Sequence, residues 1–267
     1  MSATTTLSVE ALCQWHRTLM TGSPTTERYV GVVRNEQGWI GGHDPTDAVL
    51  VTPPPVELDT LLNDLVHNIN GADTDPVAQA GIAHAQFEII HPFADGNGRV
   101  GRVLVAWILT KRLSLVVPPP VSVAIAADVG GYSSGLVLYR FGQHDQWVQW
   151  FADAVRRGSR SQRQLVSAVE ALKAHWQERL SGGDRVLRSD ATAWAVLGLL
   201  PRHPVLTTDL VTKELGVTNK GTLDALRQLA ERNVLLNYGT VTLGRGQPSK
   251  LYVSRELLAL AASNSLR

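Results

Sequence analysis

A chain of 267 residues with a formal net charge of +1 is long enough for a sizeable core and a smaller second unit. Its apolar share of 44% and charged share of 18% are those of a globular protein, and no apolar run approaches the length of a membrane span. The single cysteine, Cys13, excludes an internal disulfide and a cysteine-built metal cage. The polar start, Met1 to Thr6, lacks a secretory pattern, so a cytoplasmic protein without membrane contact is expected.

Leu7 to Met20 reads as a helix capped by Ser8, with Leu12, Trp15 and Leu19 along one stripe. Residues 28–51 hold short β-branched pieces (Tyr29-Val30, Val32-Val33, Ala48 to Val51) broken by Asn, Gly and Asp. These predict a small hairpin that ends at Pro53-Pro54-Pro55. Helices are predicted at about 56–69, from Asp75-Pro76 to Ile90, and at about 98–113. After the break at Pro118-Pro119-Pro120, further helices are predicted near 131–139, 145–157 and 161–180.

Ser181-Gly182-Gly183 is the expected boundary between a unit of residues 1–182 and one of residues 183–267. Charge divides there too. Residues 183–267 carry eleven Lys/Arg against seven Asp/Glu, a net of +4, and residues 1–182 carry fourteen against seventeen, a net of −3. In the second unit a helix at 191–200 is followed by Thr207 capping a helix at 208–215, a turn at Gly216 and a third helix at about 219–233. Val241-Thr242-Leu243, a Gly244-Arg245-Gly246 tip and Leu251-Tyr252-Val253 then read as a strand pair. That order predicts a winged helix-turn-helix. Lys220, Thr222 and Arg227 would face a DNA groove and Arg245 the backbone beside it, while Leu223, Leu226 and Leu229 would be core. Asp224 and Glu231 weaken that helix's charge for DNA.

The densest chemistry lies at His91-Pro92-Phe93-Ala94-Asp95-Gly96-Asn97-Gly98-Arg99-Val100-Gly101-Arg102. A helix N-terminus offers free N–H groups and the positive end of its dipole to an anion. Gly96 and Gly98 let the backbone approach phosphate oxygens, and Asn97 can add a side-chain donor. Arg99 and Arg102 can grip phosphates as planar forks. Asp95 can give one oxygen to Mg²⁺, which typically takes one or two carboxylates together with substrate phosphates. A neutral His91 beside this nest could take a proton from an attacking hydroxyl.

That run resembles the signature of the Fic family, His-Pro-Phe-x-Asp/Glu-Gly-Asn-Gly-Arg-x-x-Arg. Weaker likenesses flank it over about residues 7–160: Ala83 to Glu88 resembles the helix entering the Fic loop, and Ala48, Val49, Leu50 and Val51 before Pro53-Pro54 resemble the flap. Tyr132 with Leu136 resembles the nucleoside pocket, and Trp147 to Phe151 the closing helix. For Tyr132, adenine contact and packing stay equally open. The resemblance implies a mainly α fold, a Fic-type helical bundle with a small β-hairpin flap, here followed by the winged helix. It implies AMP transfer from ATP to a Ser, Thr or Tyr hydroxyl of a target protein, with release of pyrophosphate. By that resemblance His91 is the base and Asp95 the Mg²⁺ ligand. Gly96, Asn97, Gly98, Arg99, Gly101 and Arg102 form the nucleotide site, and the flap pairs with an extended target segment.

The family's inhibitory Ser/Thr-x-x-x-Glu-Gly/Asn pattern finds no clear counterpart. Thr6-Leu7-Ser8-Val9-Glu10 is followed by Ala11, and Ser23-Pro24-Thr25-Thr26-Glu27 contains Pro and is followed by Arg28. The expectation is a chain not self-inhibited through a glutamate. It would be part of a longer protein, silenced by a separate inhibitory protein, or not silenced. Two rival readings are a DNA-binding regulator with a nucleotide-sensing Fic core, which needs no base at His91, and an AMP-removing enzyme. A homodimer is compatible with the sequence and not specified by it.

Overall fold

The structure, a computed structural model, describes residues 6–71, 73–182, 187–188, 191–241 and 248–265. Contacts divide the chain into two compact units, Met1–Arg160 and Ser161–Arg267.

The first unit is helical. Helix α1 (Val9–Met20) starts where the Ser8 hydroxyl accepts from the Ala11 amide, as the sequence predicts. Helices α2 (Leu58–Asn70), α3 (Pro76–Ile90) and α4 (Asn97–Arg112) follow. Asp75 caps α3 through the amides of Val77 and Ala78, with Pro76 in the first turn. Helix α3 is apolar on nearly every face. Such a helix must be central, and Ala80, Ala83, Ala85 and Phe87 are all buried. Glycines bring its neighbours close. A Cβ on Gly81 would stand 2.9 Å from the Phe151 ring, and one on Gly101 of α4 would stand 2.9 Å from His84 Nδ1 and press on the Glu88 carboxyl. Gly101→Val should therefore destabilise the unit by about 2–3 kcal/mol, read from its urea midpoint.

Helices α5 (Val121–Ala127) and α6 (Val129–Arg140) follow the proline run. The predicted elements do not include α5: its seven residues, six of them apolar, span only two turns and carry too little periodicity. Asp128 between them caps α6 at the Gly131 amide and accepts from the Trp150 indole. Helix α7 (His144–Ser181) is one element of 38 residues, where two were predicted. Gly158, which falls between the two predicted helices, is a close-approach position: a Cβ there would stand 3.1 Å from the Pro120 carbonyl. One glycine costs a helix about 1 kcal/mol and does not end it.

The flap is shorter than predicted. Strand β1 (Trp39–Ile40) pairs antiparallel with β2 (Leu50–Val51), Trp39 opposite Val51. Tyr29 belongs to a 3₁₀ turn at Glu27–Tyr29, not to a strand. Ala48 and Val49 precede β2, although the Val49 amide still donates to the Ile40 carbonyl at 2.9 Å.

In the second unit, Trp176 and Leu180 of α7 are fully buried with the hydrophobic core. That packing groups the connecting helix's end with the second unit, upstream of the Ser181-Gly182-Gly183 junction. The unit continues through α8 (Thr192–Leu199), β3 (Val205–Thr207), α9 (Thr208–Leu215), α10 (Asn219–Glu231), β4 (Leu236–Val241), β5 (Ser249–Val253) and α11 (Arg255–Ser265). The strands form an antiparallel sheet in the order β3-β5-β4. Thr207 caps α9 and Gly216 ends it in the left-handed region, as expected. Strand β3 and helix α11 were not anticipated. The basic tip at Gly244-Arg245-Gly246, with Thr242 and Leu243, lies outside the described residues, as does Gly183. Among the described residues no single helix is long and apolar enough to cross a membrane.

Candidate active site

The site is built where α3 stops and α4 begins. His91 caps α3 in the left-handed region, φ 49° and ψ 59°, uncommon for a residue with a Cβ. Its imidazole Nδ1 lies 3.1 Å from the Glu88 carbonyl. A carbonyl only accepts, so the ring proton sits on Nδ1 and Nε2 keeps its lone pair. Burial holds the imidazole below its ordinary value, against the opposite pull of the Glu88 bond. The ring is thus neutral at pH 7, the form a base requires.

Six residues later the loop tightens around Asn97. Its side-chain oxygen accepts from the Phe93 amide at 2.9 Å, and its side-chain nitrogen donates to the Phe93 carbonyl at 2.7 Å. Asn97 is 2% exposed. This corrects its expected role: the side chain ties the loop and leaves only the backbone amide for an anion. Gly96 has φ 78°, and a Cβ there would stand 2.6 Å from Met20 Sδ, so glycine is required on both counts. The amides of Asn97 and Gly98 open α4 without intrahelical acceptors, which makes the anion nest. Arg102 folds back along its own helix, its Nη1 3.1 Å from where a Gly98 Cβ would stand. Gly101 lies away from that nest, facing His84 and Glu88. Its glycine serves helix packing and not, as expected, the nucleotide.

Asp95 presents an exposed carboxylate. Its Oδ2 accepts from the Thr25 hydroxyl at 2.7 Å and lies 3.4 Å from Arg99 Nη2, and its Oδ1 accepts from the Gly96 amide at 2.6 Å. The Thr25 bond above all, then Gly96 and Arg99, holds it below the usual carboxylate range. One ionised carboxylate beside a phosphate nest fits Mg²⁺, which completes its shell with phosphates and water. Among the described residues no cluster of three His, Cys, Asp or Glu side chains could hold a metal by itself.

Two residues that the sequence analysis did not single out hold this turn. The fully buried His16 accepts from the Gly31 amide at 2.7 Å and donates from Nε2 to the Asp95 carbonyl at 2.9 Å, stacked on Phe93 at 4.0 Å. Arg34, 7% exposed, donates to the carbonyls of His91 (2.8 Å), Pro53 (2.7 Å), Glu36 (2.8 Å) and Ile90 (3.3 Å). It thereby ties the end of the flap to the His91 turn. An arginine whose partners are main-chain carbonyls, three of them 19 to 57 positions away, leaves no motif to read.

Tyr132 is spent on packing. Its hydroxyl bonds His84 Nε2 at 3.1 Å, and its ring lies 6.1 Å from Trp147 and 5.8 Å from Trp150. Leu136 packs on the same core, as do Trp147 and Phe151. Below the nest, burial pushes Glu88 up to about 7 and His84 down to about 4. Because the folded carboxyl holds its proton more tightly than the unfolded one, it costs stability progressively as pH rises from 4.5 to about 7. Glu88→Gln removes that cost. Its stability relative to the parent should climb by about 1.4 kcal/mol per pH unit across that window and level off above it, in denaturation midpoints. A pH-independent difference would contradict the buried acid.

In the second unit, Thr222 is fully buried and its hydroxyl lies 3.0 Å from that of Thr212, so it does not face a DNA groove as expected. Arg227 pairs with Asp224 at 3.1 Å on the same helix. Lys220 is exposed.

Residues 6–109 match the Fic/DOC family model. Among curated relatives, the protein adenylyltransferase fic-1 of Caenorhabditis elegans is 26% identical over 68% of this chain and 32% of its own length. A probable protein adenylyltransferase of Aquifex aeolicus (strain VF5) is 45% identical over 22% of this chain and 19% of its own. The chain thus spans a third or less of these relatives. The crystal structure of a Fic family protein from Desulfovibrio desulfuricans G20 shares the fold, with a TM-score of 0.52 and 23% identity over 95% of this chain and 70% of that one.

Proposed function

We propose that this chain transfers AMP from ATP to a hydroxyl side chain of a target protein. The observation that carries the reading is His91: its Nδ1 is pinned by the Glu88 carbonyl, and its Nε2 is left basic at the mouth of the nest that opens α4. A phosphate sensor has no use for a neutral base there. In the reaction, Nε2 takes the acceptor's proton as the hydroxyl oxygen bonds to the α-phosphorus. The bond from that phosphorus to the bridging oxygen breaks, and pyrophosphate leaves. The amides of Asn97 and Gly98 with Arg99 hold the phosphates, and Arg102 reaches the far end of the chain. Alignment and fixed dipoles do most of the work, as in phosphoryl transfer generally. Asp95 would hold Mg²⁺, which neutralises charge on the leaving phosphates. The end of the flap, anchored through Arg34, steadies the hairpin along which a target segment would lie.

We read the second unit as a winged helix from its order of helix, strand, two helices and two strands. The burial of Thr222 and the pairing of Arg227 favour a protein-contact role for α10 over DNA reading. One cysteine and a nucleotide substrate suit the cytoplasm.

The test is product chemistry. Pyrophosphate release should require ATP, Mg²⁺ and a protein acceptor together, while orthophosphate release stays at background. Orthophosphate with no pyrophosphate would overturn the reading.

A further inference from the structure

We infer that Thr25 is a positioning residue whose hydroxyl sets the Asp95 carboxylate for the divalent cation that accompanies ATP. This rests on the AMP-transfer reading and deepens its metal site. Thr25 lies half-buried in the loop that follows α1, 70 positions before Asp95. Gly22, with φ 78°, turns the chain out of α1, and Pro24 fixes the backbone step before Thr25. The same stretch of chain holds the main chain of the turn. His16 Nε2 donates to the Asp95 carbonyl at 2.9 Å, and Met20 Sδ stands 2.6 Å from where a Gly96 Cβ would be. The carboxylate is then held at both oxygens. The Gly96 amide donates to Oδ1 at 2.6 Å, and Thr25 Oγ1 donates to Oδ2 at 2.7 Å.

The kind of donor matters. Among the described residues the other partner of Oδ2 is Arg99, at 3.4 Å. That pair is loose and exposed to solvent, with side-chain exposures of 41% for Arg99 and 56% for Asp95. If the hydroxyl were absent, the carboxylate would turn toward the guanidinium. An arginine closed on Asp95 serves neither the cation nor a phosphate. A hydroxyl avoids both losses. It brings no charge to compete with Mg²⁺, and it occupies one lone pair of Oδ2 while the other stays open to a cation. Hydrogen bonds of this kind, one step out from a metal ligand, fix the ligand's orientation and strengthen its hold on the metal. Residue type alone does not mark Thr25 for the task, because its partner lies far along the chain.

The experiment measures binding and needs no turnover. The full chain is titrated in a calorimeter with an ATP analogue whose α–β bridge is a methylene, once with Mg²⁺ and once with EDTA. The parent should bind more tightly with Mg²⁺. Thr25→Val, which keeps the shape and loses the donor, should weaken the Mg²⁺ complex about tenfold, the lower end of what such outer partners contribute. Its affinity under EDTA should match the parent's, which also shows that the nest is folded. Thr25→Ser keeps the hydroxyl and should bind as the parent does in both buffers. Parental Mg²⁺ binding by Thr25→Val overturns the inference. So does an equal loss with and without Mg²⁺, which would make Thr25 a support of the loop and not of the metal site. A parent that binds the analogue equally well in both buffers overturns the metal site with it, and a parent that does not bind the analogue at all overturns the AMP-transfer reading as well.

Discussion

His91→Ala should lose transfer by about 10²–10⁴-fold, the range a positioned general base contributes, while ATP binding survives. In the proposed reaction the imidazole supplies no phosphate ligand, so the loss should fall on turnover and not on nucleotide affinity. The pH profile carries the same signature. Burial lowers the His91 value from its ordinary 6.5, so kcat/KM should stay level from neutral pH down through 6.5 and fall only on the more acidic side. A profile whose acid limb begins above 6.5 would contradict a desolvated base. So would an alanine variant that transfers AMP at the parental rate.

Arg34→Met should damage both stability and turnover. The guanidinium satisfies four main-chain carbonyls and is 7% exposed. Removing it strands acceptors that water only partly reaches, at a cost of about 3 kcal/mol. It also frees the His91 turn from the end of the flap at Pro53. A displacement of about 1 Å at a reacting group costs on the order of 100-fold, so kcat should fall further than KM rises. Arg34→Lys keeps the stem but not the fork and should recover only part of either effect. Parental melting temperature and transfer rate in Arg34→Met would show that the tie is incidental.

The candidate loop was legible because its pattern is local. Twelve consecutive residues carry the proposed base, the carboxylate, two glycines of the turn and both arginines, and helix α4 begins among them, at Asn97, one residue from where patterning predicts. Helix caps at Ser8, Asp75 and Thr207 were readable for the same reason: each acts on an amide two or three residues away. What escaped is long-range. His16 reaches Asp95 across 79 positions, and Arg34 reaches His91 across 57. Neither residue type nor spacing announces such a partner. Polar side chains were misread in the other direction. Asn97 and Thr222 were given to ligands, yet both are sealed inside and bonded to protein. Helix α7 runs on through the interval between the helices predicted at 145–157 and 161–180, and Gly158 within it serves a close approach to Pro120.

The most direct test of AMP transfer uses ATP labelled on the α- or the γ-phosphate, with the parent chain and with His91→Ala, each alone and with a lysate. The account predicts protein-bound label from the α-position only, and only with the parent. Label arriving from the γ-position, or α-label that persists in His91→Ala, would contradict it.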